Sequence, residues 1–191
     1  LFSHRSTVLH AYAAVTPDVM NLRSTDCILP VVPLFHVNAW GIPYSALMVG
    51  SKLVFPGPKM GDGEALYNLM ESEAVSISLG VPTVWLALLG YAEGAGKKLN
   101  ALKRTLIGGA AVPESMIRAF RDQHDVDVVQ GWGMTEMSPL GTVSTTKAGT
   151  EHLDDEGLVK LKAKAGRGIF GVEMRIVNDD GAVLPWDGVA Y

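Results

Sequence analysis

Apolar residues along this chain alternate between short continuous runs and longer stretches with helical spacing. The short runs predict buried strands, and they cover Asp26–Val32, Lys52–Phe55, Val75–Leu79, Leu102–Ile107 and Asp127–Gln130. The stretches with helical spacing lie between these runs, at Ser3–Thr16 with Ser3 as the cap, Val37–Met48, Gly63–Glu73, Pro82–Tyr91 and Pro113–Gln123. Repeated strand–helix–strand units with short connections predict an α/β fold, a layered domain with a largely parallel sheet flanked by helices.

The pattern changes after residue 140. A charged stretch has an acidic half, Glu151–Glu156, and a basic half, Lys160–Arg167, which favours a solvated surface hairpin or loop. Val172–Val177 alternates apolar and charged residues before the turn Asn178–Gly181, which predicts that Val172–Leu184 is a hairpin in an antiparallel β layer. We therefore expect an α/β subdomain over residues 1–140 and a loop with a partial β subdomain over residues 141–191.

Composition narrows the class of protein. The chain has 191 residues, of which 48% are hydrophobic and 19% charged, as expected for a packed globular domain. A net charge of -4 argues against a nucleic-acid partner, which would require a surplus of Lys and Arg. The most apolar stretch, Cys27–Gly50, contains three prolines and a histidine, so we expect no transmembrane helix.

The single cysteine and the histidines indicate no disulfide or zinc framework. Cys27 has no second cysteine to pair with, which is compatible with a reducing compartment such as the cytoplasm. It lies in an apolar run, which favours a small core residue over a nucleophile. None of the five histidines has a zinc-ligand spacing with cysteine.

The glycine–tryptophan segment, Gln130–Glu136, concentrates the most chemistry. Gly131 and Gly133 predict a tight turn at the carboxyl end of a strand, where ligands bind in open α/β sheets. Trp132 can stack on a base, Thr135 can donate to a phosphate, and Glu136 can coordinate Mg²⁺. The alternative is a structural turn, with a core tryptophan and a threonine and glutamate that cap a helix.

Two further segments have a possible binding role. The small-residue loop, Ile107–Pro113, joins a strand to a helix and allows a flat ligand to approach the backbone, although such glycines are often only a connector. The aromatic segment, Pro33–Gly41, contains His36 and Trp40, which either pack as a core histidine and tryptophan or line a hydrophobic tunnel near a reacting carboxyl group.

These three segments, in this order, resemble the AMP-forming acyl-CoA synthetases of the adenylate-forming superfamily. Ser3–Arg5 is similar to the start of the helix after that family's phosphate-binding loop, and the aromatic segment looks most like its medium- and long-chain fatty acid members. The resemblance implies activation of a carboxylic acid by ATP, with release of pyrophosphate, followed by transfer of the acyl group to CoA. ATP, Mg²⁺ and CoA are therefore the expected cofactor and cosubstrates, and the resemblance is compatible with a homodimer.

The resemblance also implies roles for individual residues. The nucleotide-binding set is Gly108, Gly109, Ala110, Gln130, Gly131, Trp132, Gly133, Met134 and Thr135. Catalytic roles fall on Thr135, Glu136 and His36, with Glu136 as the Mg²⁺ ligand. The expected acyl tunnel is lined by Phe35, His36 and Trp40.

The resemblance leaves alternatives open. The family's phosphate loop would precede Leu1, and its hinge, ribose-binding aspartate and C-terminal domain would follow Tyr191. We therefore expect a middle piece of the large N-terminal domain that turns over no substrate alone. Rival hypotheses are a ligase for aryl or other acids, an adenylating enzyme that serves a carrier protein, and a nonenzymatic nucleotide-binding module.

Overall fold

A mixed sheet forms the centre of the chain in the computed structural model, which describes residues 1–187. Its strands are β1 (Cys27–Val31), β2 (Lys52–Leu53), β3 (Ile77–Gly80), β4 (Arg104–Ile107), β5 (Asp127–Gly133), β6 (Leu140–Val143) and β7 (Arg167–Gly168). Within the described residues their order is β2-β1-β3-β4-β5-β6-β7. The pairs from β2 to β5 are parallel, and the β5–β6 and β6–β7 pairs are antiparallel. The predicted fold class is confirmed.

Helices cover both faces of this sheet. They are α1 (His4–Val15), α2 (Val37–Trp40), α3 (Ile42–Val49), α4 (Gly63–Ser72), α5 (Pro82–Gly94), α6 (Glu114–Arg118) and α7 (Asp155–Lys162). Ser3 caps α1 as predicted, because its hydroxyl oxygen accepts the Ser6 N–H at 3.0 Å. α4 is capped in the same way by the Asp62 carboxylate.

Side chains of successive strand residues enter two separate cores. Leu106 belongs to the core beneath α1 and α3, while Ile107 belongs to the core beneath α4, α5 and α6. Val129 and Val128 divide between the cores in the same way. This period of two is expected for strands that are covered on both faces, and it explains their continuous apolar runs.

Two predicted helices have different geometry. The helix predicted over Val37–Met48 is wrong in its first part: α2 is a left-handed turn, and a right-handed helix begins only at Ile42, after Gly41. The helix predicted to start at Pro113 begins with α6 and continues to Gln123 as a π-helical segment, Ala119–Gln123.

The charged stretch after residue 150 forms a helix, so the surface loop or hairpin predicted there is wrong. The Asp154 carboxylate caps α7 by accepting the Gly157 N–H at 2.8 Å. Glu156 and Lys160 form an ion pair one turn apart, and Val159 is buried in the core beneath α4, α5 and α6. Together these contacts stabilise a helix in a segment of mixed charge.

The predicted hairpin over Val172–Leu184 is present as a turn with one bridge. Val177 and Val183 pair in antiparallel orientation, and the Gly181 N–H donates to the Asn178 carbonyl oxygen at 2.9 Å.

Among residues 1–187, no helix is long and apolar enough to span a bilayer.

Candidate active site

The glycine–tryptophan segment continues β5 instead of forming a turn. The predicted strand end at Gln130 is wrong, because Gly131 pairs with Val143 and Trp132 with Thr142 across the antiparallel β5–β6 ladder. The register shifts between Trp132 and Gly133, and the chain then turns through a 3₁₀ helix at Thr135–Met137. β5 therefore carries Thr135 and Glu136 beyond the carboxyl end of the parallel sheet.

Glycine at position 108 allows β4, β5 and α2 to approach one another closely. A Cβ atom on Gly108 would lie 2.9 Å from the Gly131 carbonyl oxygen and 3.3 Å from Cη2 of Trp40. Its neighbour Gly109 has a φ of +80°, which side chains rarely adopt. The small-residue loop thus leaves bare backbone next to the indole ring of Trp40.

Gln130 holds this loop against β5. Its side-chain Oε1 accepts the Val112 N–H at 3.0 Å, and its own N–H donates to the Ser144 hydroxyl at 2.8 Å. Gln130 is buried, and its amide oxygen is used inside the protein. The Gln130 side chain therefore positions the small-residue loop, a structural role that the sequence did not indicate.

A cleft of about 380 Å³ brings the three predicted segments together. Its lining comprises Met20, His36, Val37, Trp40, Leu106, Gly108, Gly109, Gly131, Trp132, Gly133, Met134, Thr135, Glu136, Pro139 and Leu140. The aromatic segment forms one wall, the small-residue loop the next, and the glycine–tryptophan segment the third. Segments far apart in sequence therefore converge where the parallel strands end, as expected for a ligand site in an α/β sheet.

A second hollow of about 300 Å³ adjoins this cleft on the other side of the glycines. It is lined by Gly109, Ala110, Ala111, Gln130, Gly131, Trp132 and Gly133. Trp132 is 42% exposed and borders both spaces. A hollow lined by glycine and alanine residues and by a tryptophan suits a flat heterocycle.

The aromatic segment lines the cleft through a left-handed turn. Val37, Asn38, Ala39 and Trp40 have φ values of 43°, 54°, 48° and 57°. This conformation costs about 1–2 kcal/mol per residue for side chains other than glycine. It persists only where the surroundings fix it, and such strain is concentrated at functional sites.

Several contacts fix the left-handed turn. The Ala39 N–H donates to the His36 carbonyl oxygen at 3.1 Å, and the Gly41 N–H donates to the Asn38 carbonyl oxygen at 3.0 Å. Ala39 is fully buried. Gly41 packs so closely on His10 that a Cβ atom there would lie 2.7 Å from the imidazole ring.

The three residues predicted to line an acyl tunnel lie in two different places. His36 is exposed and borders the cleft, so the interpretation of it as a buried core histidine is wrong. Trp40 is partly buried and also lines the cleft. Phe35 is 91% exposed and lies outside the cleft, in a neighbouring groove that also contains His36 and Thr135.

One carboxylate in the cleft suits a hard cation. Glu136 is exposed and borders the cleft beside Thr135. Over residues 1–187, no three or more His, Cys, Asp or Glu side chains converge as a metal-binding group. Mg²⁺ often binds through one or two carboxylates together with substrate phosphates and waters. Glu136 therefore fits a cation that enters with a nucleotide.

The sequence did not indicate several apolar residues of the cleft. Leu106 of β4 lies two residues before Gly108, and the strand period alone would have placed both on one face. Met20 comes from the turn between α1 and β1, while Pro139 and Leu140 follow the 3₁₀ helix. For these three, no sequence pattern connects them with the site.

Comparisons with known proteins agree with this geometry. A family model described as AMP-binding enzyme matches residues 1–190. A medium-chain-fatty-acid–CoA ligase from Ectopseudomonas oleovorans is 54% identical over 98% of this chain and 34% of its own length. A 3-methylmercaptopropionyl-CoA ligase from Ruegeria lacuscaerulensis is 52% identical over 99% of this chain and 35% of its own length.

The fold also matches a solved structure. The N-terminal domain of FACL13 from Mycobacterium tuberculosis superposes with a TM-score of 0.78 at 26% identity, covering 96% of this chain and 43% of that one. The chain spans about a third of the length of the two ligases that it matches. The match of the family model over nearly every residue shows that the chain belongs to the family of AMP-binding enzymes.

Proposed function

We propose that this chain is part of an ATP-dependent acid–CoA ligase that activates a medium- or long-chain fatty acid. The observation that carries the proposal is the convergence of the three segments on one cleft, whose lining combines apolar residues with Thr135 and Glu136. An acid with an apolar tail and a triphosphate could therefore meet within it. The similarity to the medium-chain-fatty-acid–CoA ligase supports the same substrate class.

The residues divide between two binding tasks. Adenine would lie in the hollow between the backbone of Gly109 and Ala110 and the indole of Trp132. The acid would lie along Trp40, with its carboxylate near His36 and the nucleotide phosphates near Thr135. This arrangement brings a carboxylate oxygen and the α-phosphate of ATP into the same cleft, and proximity of this kind lowers the barrier to reaction.

Two displacements complete the proposed reaction. A carboxylate oxygen attacks the α-phosphorus of ATP, the bond from that phosphorus to the bridging oxygen breaks, and pyrophosphate leaves. The CoA thiolate, after loss of its proton to solvent, then attacks the acyl carbonyl carbon, and AMP leaves with the former carboxylate oxygen. Mg²⁺, held in part by Glu136, would supply positive charge that stabilises the transferring phosphate.

A shorter acid is the second candidate substrate. The similarity to a 3-methylmercaptopropionyl-CoA ligase is almost as high as that to the medium-chain ligase, and it favours a short thioether acid. Ligation of aryl acids, transfer to a carrier protein and nucleotide binding without catalysis are the remaining alternatives. A homodimer and a cytoplasmic location stay predictions from the sequence.

Turnover of the full-length protein, measured separately with each candidate acid, tests the proposal. The protein is incubated with ATP, Mg²⁺, CoA and, separately, straight-chain fatty acids, 3-methylmercaptopropionate and benzoate, while pyrophosphate and acyl-CoA are measured. We expect CoA-dependent product with the fatty acids, and a reduced rate for Thr135→Val. Thr146→Val, an exposed threonine outside the cleft, is the matched control and should keep the wild-type rate. AMP binding without product from any acid would contradict the proposal.

A further inference from the structure

Leu106, which lines the cleft, belongs to a row of apolar side chains across three strands. Leu79 of β3, Leu106 of β4 and Val129 of β5 are partners in the parallel register and belong to one core. Gly108, which directly follows β4, and Gly131 of β5 lie two residues beyond Leu106 and Val129, on the same face by the strand period. Side chains therefore rise from the sheet at this row, while bare backbone lines the cleft beyond it.

A third, much smaller space of about 10 Å³ is lined by this row together with Met20. It borders Ile77 and Arg104, the next residues on this face of β3 and β4 toward their amino ends. Met20 and Leu106 line both this space and the cleft. These two side chains therefore form the partition between the two spaces.

Met20 is the adaptable half of the partition. Leu106 is fixed in the central strand, whereas Met20 comes from the turn after α1 and is 3% exposed. Its backbone is held in place, because its N–H donates to the Ala14 carbonyl oxygen at 3.1 Å. Methionine is unbranched, has three rotatable side-chain bonds and fills irregular apolar gaps. Its side chain can therefore move while the turn stays in position.

Arg104 closes the far end of the smaller space. One guanidinium nitrogen, Nη2, donates to the Asn21 carbonyl oxygen at 3.3 Å, and the buried Nε has no hydrogen-bond partner among the described residues. A cationic group with a buried donor disfavours contact with a hydrocarbon end. Arg104 lies two residues from Leu106, which is about 6.6 Å along a strand. Space gained by moving Met20 is therefore limited to a few methylene groups.

We propose that Met20, as the movable partition between the cleft and the space in front of Arg104, sets the length of the acyl chain that is accepted. The inference rests on the proposed function and adds a specificity-determining residue to it. Acids that end above Met20 bind without displacing it. Longer acids must displace its side chain toward Ile77, and their length is limited by Arg104.

Chain-length profiles of full-length variants test this role. We measure kcat/KM for straight-chain saturated acids from butyrate to palmitate with wild type, Met20→Ala and Met20→Phe. Each additional buried methylene is worth up to about fourfold in kcat/KM. We expect Met20→Ala to favour acids two methylenes longer than the wild-type optimum by about tenfold. Met20→Phe should shift the optimum to shorter acids, and neither variant should change the KM for ATP.

Met70→Ala is the matched control. Met70 is fully buried in the opposite core, beneath α4 and α5, so its truncation costs stability without opening the cleft. An unchanged length optimum in Met20→Ala, or the same shift in Met70→Ala, would overturn the role of Met20 alone, provided that the wild type activates fatty acids. A wild type that activates no straight-chain acid would overturn the proposed function as well. If Met20→Ala does not fold, the shift in Met20→Phe decides the question.

Discussion

Low pH should destabilise the protein by protonating one buried histidine, His10, which packs against the left-handed turn. His10 of α1 is 6% exposed and packs against Gly41, and its Nε2 has no hydrogen-bond partner within residues 1–187. Burial lowers the pKa of His10 from 6.5 to about 4, because a charged imidazolium would lose its water without gaining a partner. Protonation of His10 therefore opposes folding at the point where α1 supports α2.

The magnitude follows from the two pKa values of His10. A difference of about 2.5 pH units, at about 1.36 kcal/mol each, corresponds to a full effect of about 3 kcal/mol. On acidification the unfolded chain takes up a proton on His10 before the folded protein does, which favours unfolding. The folded state therefore keeps its full stability above pH 6.5 and loses the contribution of neutral His10 as the pH falls toward 4. At pH 5 the loss relative to pH 8 should already be about 2 kcal/mol.

The assay compares the pH dependence of unfolding in two proteins. Urea unfolding of full-length wild type and His10→Phe is followed between about pH 4 and pH 8, and the difference between the curves isolates the histidine. We expect the wild type to lose about 2–3 kcal/mol more than the variant over this range. His4→Asn, which replaces an exposed histidine of the same helix, is the control for loss of a histidine.

Parallel curves for wild type and His10→Phe would refute this reasoning, because the pH dependence would then arise from other groups. The same result would follow if acidification opened α1 locally and admitted water to the ring before unfolding. Hydrogen exchange of the α1 amides separates the two explanations. Local opening predicts faster exchange on acidification, after correction for the intrinsic rate, in wild type only.

Two further predictions concern the cleft. Gly108→Ala should destabilise the protein by about 1–3 kcal/mol and raise the KM for ATP, because the new methyl group would lie 2.9 Å from the Gly131 carbonyl oxygen and press on Trp40. Thermal unfolding and ATP titration measure the two effects, and a normal KM would show that the loop does not border the nucleotide. Glu136→Gln should raise the Mg²⁺ concentration for half-maximal activity by at least about tenfold. Initial rates against free Mg²⁺ measure this change, and an unaltered dependence would contradict Glu136 as a ligand.

The sequence predicted the sheet and its helices well because both depend on local patterns. Each of the strands β1 to β4 lies within the predicted run or one residue beyond it, and Ser3 caps α1 as expected. Apolar periodicity carries this information, since burial on both faces requires it. The order of the three binding segments likewise predicted the family, which the match over residues 1–190 confirmed.

The left-handed turn could not be predicted, because it contradicts local preference. Val37 is β-branched, and a positive φ is unfavourable for such a residue. The sequence between Val37 and Met48 therefore favoured one right-handed helix. What fixes the actual conformation is tertiary: burial of Ala39 and the contact between Gly41 and His10, a residue more than thirty positions away. No window on the local sequence contains that contact.

The glycines of β5 show how residues of one cleft were brought together in a prediction whose local structure was wrong. Gly131 and Gly133 suggested a turn, since glycine relieves strain there at little cost. In the structure their lack of a side chain serves close approach instead: a Cβ on Gly133 would lie 2.2 Å from the Pro139 carbonyl oxygen, and Gly131 faces Gly108. Both uses of glycine leave backbone exposed, so the prediction placed these residues at the cleft that they line. Only the strand interpretation, however, puts Val129 and Gly131 on one face, and so relates the row that borders the smaller space with Met20 to the backbone that lines the cleft.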